Sequence, residues 1–173
     1  MKLKQLFILT LFILAFLPSV CKAAPDPNAC GLIVGESVIY PGEQKEYIFS
    51  AFGVPERIYA MRGKGDKKKD YVKLFYQELD LSFDITNDDN TIRAILVKGE
   101  AKLKNIPFKV GETYESVKAK WGEPDKKEGG YANYAKKGVM FKITDDGIIE
   151  IIAIFLPGSM DSEVPTNASV KSS

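Results

Sequence analysis

The side chains that most often perform catalysis are scarce in this sequence. The 173-residue chain contains no histidine, which excludes serine–histidine and cysteine–histidine catalysis as well as imidazole metal ligands. Its two cysteines, Cys21 and Cys30, are too few for a cysteine-rich zinc site. The groups left to act as acids, bases or ligands are carboxylates, lysines and tyrosines.

Carboxylates occur in two clusters. The first contains Asp84, Asp88 and Asp89, and the second contains Asp145 and Asp146. A calcium loop needs acidic residues at alternate positions, a central glycine and a late glutamate, and neither cluster has that spacing. Aspartate beside asparagine or glycine is typical of turns, so we predict hairpin turns, with no metal, cofactor or catalytic residue. A carboxylate pair acting as general acid and base stays open as the alternative.

Four lysines and four tyrosines are the candidates for contacts with a partner. The lysines are Lys64, Lys67, Lys68 and Lys69. The tyrosines are Tyr71, Tyr76, Tyr131 and Tyr134. The basic stretch could contact an acidic partner, although a solvated loop is the simpler interpretation. The tyrosines either pair across strands or form an aromatic contact face, since tyrosine is enriched at interface hot spots.

The first 23 residues have the pattern of an export signal. Lys2 and Lys4 precede an apolar run at residues 6–17, which is shorter than the roughly 20 residues needed to cross a bilayer. We predict cleavage after Ala23, which places the mature protein in the periplasm, in the outer envelope or outside the cell. Lipid attachment at Cys21 is the less favoured alternative, because Val20 stands where a small residue usually precedes the cysteine.

Cleavage makes the mature protein slightly acidic. The signal peptide removes Lys2, Lys4 and Lys22, so 24 basic and 23 acidic residues become 21 and 23. Nucleic-acid binding rests on neutralising phosphates, so this balance argues against it. Cys30 remains as a single cysteine, which cannot form an internal disulfide.

Two blocks of the mature sequence occur twice. Residues 41–56 align without a gap on residues 110–125, and residues 76–88 align on residues 134–146. After a one-residue slip, residues 92–97 align on residues 149–154. We therefore predict an internal duplication, with a first repeat at 24–100, a second at 101–157 and a disordered tail at 158–173.

Each repeat predicts a helix followed by a sheet. Tyr114, Val117 and Trp121 recur at helical spacing, and Gly122 and Pro124 are typical of the residues that end a helix. Alternating apolar residues then predict three strands, the first at 71–76 in one repeat and 131–135 in the other. The predicted fold class is α+β, with two tandem modules of one helix and a three-stranded antiparallel meander. The modules would share one sheet or pack face to face.

The second repeat resembles a group of exported bacterial domains. The residues that carry the resemblance are Gly111, Thr113, Val117, Trp121-Gly122-Glu123-Pro124, Tyr134, Gly138-Val139-Met140-Phe141 and Gly147-Ile148-Ile149-Glu150-Ile151-Ile152. The group includes the small-protein-A type of outer-membrane assembly lipoprotein and the tandem-repeat β-lactamase inhibitory proteins. The resemblance implies a concave sheet built by two modules and a tendency to bind proteins. This chain lacks the cysteine pairs of the inhibitors and the usual lipid-attachment pattern.

These features predict an exported, non-catalytic protein that binds another protein in the bacterial envelope or outside the cell. It would act as an assembly factor, an inhibitor or a host-binding surface protein. The alternatives are an envelope enzyme that depends on carboxylates and a purely structural envelope component.

Overall fold

The computed structural model describes residues 26–63 and 70–159. The predicted signal peptide, Cys21, the four candidate lysines and residues 160–173 lie outside the described residues. The described parts form eleven strands and two short helices. The strands are β1 (Gly31–Val34), β2 (Ser37–Ile39), β3 (Arg57–Met61), β4 (Tyr71–Tyr76), β5 (Leu81–Thr86), β6 (Ile92–Val97), β7 (Lys102–Lys104), β8 (Lys126–Glu128), β9 (Tyr131–Tyr134), β10 (Val139–Ile143) and β11 (Ile149–Phe155). The helices are α1 (Glu46–Phe52) and α2 (Tyr114–Trp121).

The strands form two antiparallel sheets. The small sheet has the order β2-β1-β7, and the large sheet has the order β3-β4-β5-β6-β11-β10-β9-β8. The large sheet therefore consists of two four-stranded halves that meet where β6 pairs with β11. Val97 lies opposite Ile152 and Ala94 lies opposite Phe155 in this central pair.

The predicted α+β fold class is wrong, because the protein is mostly β. Each half contributes four strands to the large sheet instead of three, and β1, β2 and β7 form a further sheet. The strands missed in the large sheet are β3 and β8, its two edges. Every residue of β8 is exposed, and β3 is exposed apart from the half-buried Met61. Edge strands without a buried face need no apolar alternation, so hydrophobic periodicity does not reveal them.

One face of the large sheet carries the main core. Ile48 of α1 and Val117 of α2 are fully buried against it, together with Phe83 of β5 and Phe141 of β10. Leu32 of the small sheet belongs to the same cluster. The helices and the small sheet thus cover this face, which we call the helix-side face. The helices are only seven and eight residues long, so this packing and not intrinsic helix stability holds them in place.

The two halves repeat the same local contacts. The Tyr76 hydroxyl donates to the Gly53 carbonyl at 2.8 Å, and the Tyr134 hydroxyl donates to the Gly122 carbonyl at the same distance. Both glycines follow the last helical residue and have positive φ angles, which favours glycine. Each tyrosine therefore ties the C-terminal end of a helix to the sheet beneath it.

No helix in the described parts of the chain is long and apolar enough to cross a membrane.

Candidate functional site

The other face of the large sheet carries a second apolar cluster at its centre. Strand alternation turns six apolar side chains away from the helices. They are Ala94, Leu96, Met140, Ile151, Ala153 and Phe155. The half-buried Tyr131 packs against them. We call this side of the sheet the second face and these six residues the central apolar cluster.

The central apolar cluster is built only from the large sheet. Its members come from β6, β10 and β11, and Tyr131 belongs to β9. Within residues 26–63 and 70–159, no helix and no strand of the small sheet belongs to this cluster. The described elements thus cover the helix-side face and place no further helix or strand on the second face, although the six side chains of the cluster are each at most 8% exposed.

An ion pair flanks the cluster on the side of the first half. Lys73 Nζ lies 2.7 Å from Asp84 Oδ1, and the two side chains are only 12% and 4% exposed. The Lys73 ammonium also lies 5.9 Å from the centre of the Tyr71 ring and 5.8 Å from that of Phe75. The Arg93 guanidinium lies 5.1 Å from the centre of the same Tyr71 ring. Two cations therefore act on one carboxylate, and both cations lie near aromatic rings.

Burial dominates the electrostatics of Asp84. Removal from water raises the pKa of its carboxyl group, because the charged form loses hydration. The positive charges of Lys73 and Arg93 lower the pKa and oppose this effect without cancelling it. The ion pair with Lys73 compensates the charge of Asp84, which makes it a structural group rather than a free acid.

A second ion pair flanks the cluster on the side of the second half. Lys142 of β10 lies 2.7 Å from Glu150, and the hydrogen bond to Glu150 raises the pKa of Lys142. In the predicted repeat alignment, Lys142 takes the position of Asp84. Both positions precede a register irregularity in their strands. The second face therefore presents an apolar centre between two ion pairs.

The structure separates the four predicted tyrosines into two pairs. Tyr71 and Tyr131 lie on the second face, one in each half. Tyr76 and Tyr134 lie in the core of the helix-side face and are at most 3% exposed. Burial raises the pKa of Tyr76 to about 12 and also raises that of Tyr134. Their side chains brace the helices and are not available to a partner.

The candidate carboxylates do not converge on one site. Asp88, Asp89, Asp145 and Asp146 are exposed where β5–β6 and β10–β11 turn, and Asp89 accepts hydrogen bonds from Thr91. Asp84 alone is buried, on the second face. Within the described ranges, no group of three or more acidic or cysteine side chains could hold a metal ion. The arrangement gives no geometric support to carboxylate catalysis.

Cys30 lines an open groove of about 880 Å³ together with Asn105, Trp121 and Lys137. Its thiol is buried and unpaired, and its Sγ lies 4.0 Å from the carbonyl oxygen of Asn105. Burial raises the pKa of this thiol, so the thiol form predominates at neutral pH. Because the thiolate is the nucleophile, Cys30 is a structural residue of the β1 region.

Several residues of the second face were not among the sequence-based candidates. Four charged residues alternate with apolar core residues along their strands, and this alternation predicts only that they face away from the core. They are Lys73, Arg93, Lys142 and Glu150. Alternation thus predicts the face of the sheet on which each side chain lies. It does not predict which of these side chains form ion pairs, because their partners lie on neighbouring strands whose pairing is set by the tertiary fold.

The second half of the chain matches a protein family. Residues 90–164 match a protein family described as Domain of unknown function (DUF4309). The match begins at the β5–β6 turn and covers the whole second half. No curated protein matches the chain. Neither result indicates catalysis.

A solved structure shows a weak similarity. It is an extracellular protein containing a SCP domain from Bacillus anthracis str. Ames. The aligned regions are 17% identical with a TM-score of 0.41, and they cover 65% of this chain and 42% of the other. This chain thus spans about two fifths of that protein's length, and a similarity of this degree assigns neither fold nor function.

Proposed function

We propose that this protein is an exported, non-catalytic binding protein that contacts another protein through the second face of its large sheet. The observation that carries the proposal is the central apolar cluster, over which the described residues place no helix or strand. An antiparallel sheet with one solvated face normally alternates polar residues on that face. Here six apolar side chains, each at most 8% exposed, replace that alternation at the centre of the face. A partner would therefore contact the half-buried Tyr131 and the polar groups around the cluster.

The chemistry around the cluster suits a protein partner. Tyr71 and Tyr131 flank the apolar centre, and tyrosine is enriched in the residues that dominate binding energy. The ion pairs Lys73–Asp84 and Lys142–Glu150 lie beyond the centre. An apolar centre with polar flanks is the usual organisation of a protein interface.

The predicted signal peptide places this interaction outside the cytoplasm. The partner would be a protein of the bacterial envelope or of the surroundings, and the role would be that of an assembly factor, an inhibitor or a host-binding protein. The resemblance to the tandem-repeat inhibitory proteins implies a concave sheet built by two modules and a tendency to bind proteins, which fits a contact surface on the large sheet.

A site-specific photocrosslinker tests the proposal. We would place a photoreactive phenylalanine at Tyr131 on the second face and, as a matched control, at Tyr47, a tyrosine of α1 that is 47% exposed. In cells that produce the native chain, crosslinked adducts of defined mass should form from position 131 and be absent from position 47.

The partner identified in this way is then measured against purified variants. Tyr131→Ala should weaken its binding about tenfold, as expected for an aromatic residue near an interface centre, whereas Tyr47→Ala should leave binding unchanged. Equal adducts from both positions, or equal affinity of both variants, would contradict the assignment of the second face.

A further inference from the structure

The two edges of the large sheet differ in their chemistry. The edge strand β8 has only three residues, and all of them are charged. Its Lys126 and Glu128 form an ion pair at 2.6 Å. Short, charged edge strands are a common means by which proteins prevent edge-to-edge association. The β8 edge is therefore protected against pairing with another strand.

The β3 edge has less of this protection, since Arg57 is its one charged residue. It is five residues long, contains neither lysine nor proline, and exposes Ile58 by 59% and Tyr59 by 37%. Arg57 of β3 pairs with Phe75, and Lys126 of β8 pairs with Asn133. Phe75 and Asn133 directly precede the aligned tyrosines Tyr76 and Tyr134, so the two edge strands occupy equivalent places in their halves. Ile58 stands where the other half has Lys127, and Tyr59 stands where it has Glu128.

The same contrast extends beyond the edge strands. Of the seven large apolar side chains that are exposed in the described ranges, all but Leu156 belong to the first half. Besides Ile58 and Tyr59, these are Tyr47, Phe49, Val54 and Leu79. The predicted repeat alignment matches them with Ser116, Lys118, Glu123 and Lys137. Since two similar frameworks differ in this way, the apolar surface belongs to the first half specifically and is not a requirement of the fold.

We propose that β3 pairs antiparallel with β3 of a second copy of this chain, with Tyr59 at the twofold axis. In this register Tyr59 lies opposite its own counterpart and Ile58 lies opposite Ala60. Aromatic cross-strand pairs stabilise antiparallel sheets. The backbone groups along the outer side of β3, which pair with no strand in the described parts of the chain, gain partners, and the two large sheets become continuous.

Charge complementarity selects a second copy as the occupant. The same register places Glu56 opposite Arg62, and both side chains are exposed. The twofold axis forms this pair twice. The β8 edge cannot associate in the corresponding way, because an arrangement centred on Glu128 would bring two glutamates together. The β3 edge is thus self-complementary in both its apolar centre and its charged ends, as an isologous interface requires.

Sedimentation velocity over a range of concentrations tests the dimer, with protein exported and processed from the full-length chain. We expect a reversible equilibrium between monomer and dimer. Ile58→Lys, which copies the residue of the β8 edge, should weaken association by at least tenfold. Leu79→Lys is the matched control, because it adds the same charge at an exposed apolar position outside β3, and it should leave association unchanged.

A charge exchange tests the register. Glu56→Lys and Arg62→Glu each replace two attractive pairs by two repulsive ones, so each variant alone should dimerise about tenfold more weakly. An equimolar mixture of the two variants brings opposite charges together at both positions and should restore the dimer as a heterodimer. Glu56→Lys also removes the hydrogen bond from the Gln77 backbone to Glu56, both alone and in the mixture. Restoration of the dimer in the mixture would therefore show that loss of this bond does not cause the weaker association.

Three results would overturn the proposal. The first is a monomer at all concentrations, which would leave the β3 edge to a strand of another protein. The second is a dimer that Ile58→Lys does not weaken. The third is a mixture that associates no better than its components, which would exclude this register.

Discussion

At the scale of single residues, the least ordinary feature is the buried ion pair between Lys73 and Asp84. Taking two charges out of water costs several kcal/mol, and their attraction repays this only when the geometry is good. Here the separation of 2.7 Å and the nearby Arg93 supply the attraction. The pair sits beside the central apolar cluster, so losing either partner would leave an uncompensated charge in a poorly hydrated place.

We expect Lys73→Met to destabilise the protein by about 3 kcal/mol at pH 7, since it leaves the Asp84 carboxylate without its closest cation. Burial already raises the pKa of Asp84 in the folded state, and losing Lys73 raises it further. A carboxyl whose pKa is raised on folding favours the folded state at low pH, and this contribution is lost as the pH rises through the folded pKa. The difference from wild type should therefore be much smaller at pH 4 than at pH 7 in urea denaturation.

The matched control for this prediction is Lys142→Met. Lys142 and Glu150 form an ion pair on the same face of the second half, but their side chains are 23% and 47% exposed. An ion pair in contact with water contributes at most about 1 kcal/mol, so this variant should show a small cost at both pH values. Equal costs for both variants would mean that burial does not distinguish the two pairs.

At the scale of elements, the helices depend on the tyrosines beneath them. Tyr76 holds the carbonyl of Gly53, and Tyr134 holds that of Gly122, at the points where α1 and α2 end. The second half adds a bond between the Tyr114 and Tyr134 hydroxyls at 3.2 Å. Because Tyr134 donates to Gly122, Tyr114 is the donor in that bond. The Tyr134 hydroxyl thus forms two hydrogen bonds in the second half, whereas the Tyr76 hydroxyl forms one in the first.

We predict that Tyr134→Phe destabilises the protein by about 2 kcal/mol and Tyr76→Phe by about 1 kcal/mol. The first change leaves a carbonyl and a buried hydroxyl without their partner, whereas the second leaves only a carbonyl. Both changes preserve the packing of the aromatic ring. Chemical denaturation of the two variants checks the ranking, and a larger loss for Tyr76→Phe would contradict this account of the helix ends.

At the scale of the whole molecule, the two halves share one sheet and one main core. The β6–β11 pair joins them through four residue pairs, from Val97 and Ile152 to Ala94 and Phe155. The core cluster continues across this boundary and includes Ile48 of α1 as well as Val117 of α2. A half by itself would expose the inner edge and the apolar side chains of its central strand, so we expect the halves to unfold together.

Trp121 permits a direct test of this coupling, because it is the single tryptophan of the chain and lies in the second half. Ile48→Ala removes a fully buried side chain of the first half and should cost about 3 kcal/mol. If the halves unfold together, the unfolding midpoint followed by Trp121 fluorescence shifts by the same amount as that followed by circular dichroism.

Val117→Ala, the corresponding change in the second half, is the control and should shift both signals. A Trp121 transition that Ile48→Ala leaves in place would show that the halves are independent domains.

Periodicity located both helices and six of the eight strands of the large sheet, but it missed the small sheet, although Leu32 and Ile39 of that sheet are buried. The alternation in Leu81–Thr86 and Val139–Ile143 and the helical spacing of Tyr114, Val117 and Trp121 all correspond to elements of the structure. These patterns are local, because a side chain's orientation follows from its position along a helix or strand. The export signal, the repeat boundaries and the resemblance to the inhibitory proteins stay predictions.

Only the tertiary structure decided the fold class and the composition of the second face. The edge strands have no buried face, and the strands of the small sheet are only three or four residues long, so periodicity did not reveal that the protein is mostly β. Tyr71 and Tyr76 belong to one strand, yet one lies on the second face and the other in the core, which becomes clear only when the layers are placed. Which charges meet, such as Lys73 and Asp84, depends on strand pairing between separate segments, and local sequence does not encode that pairing.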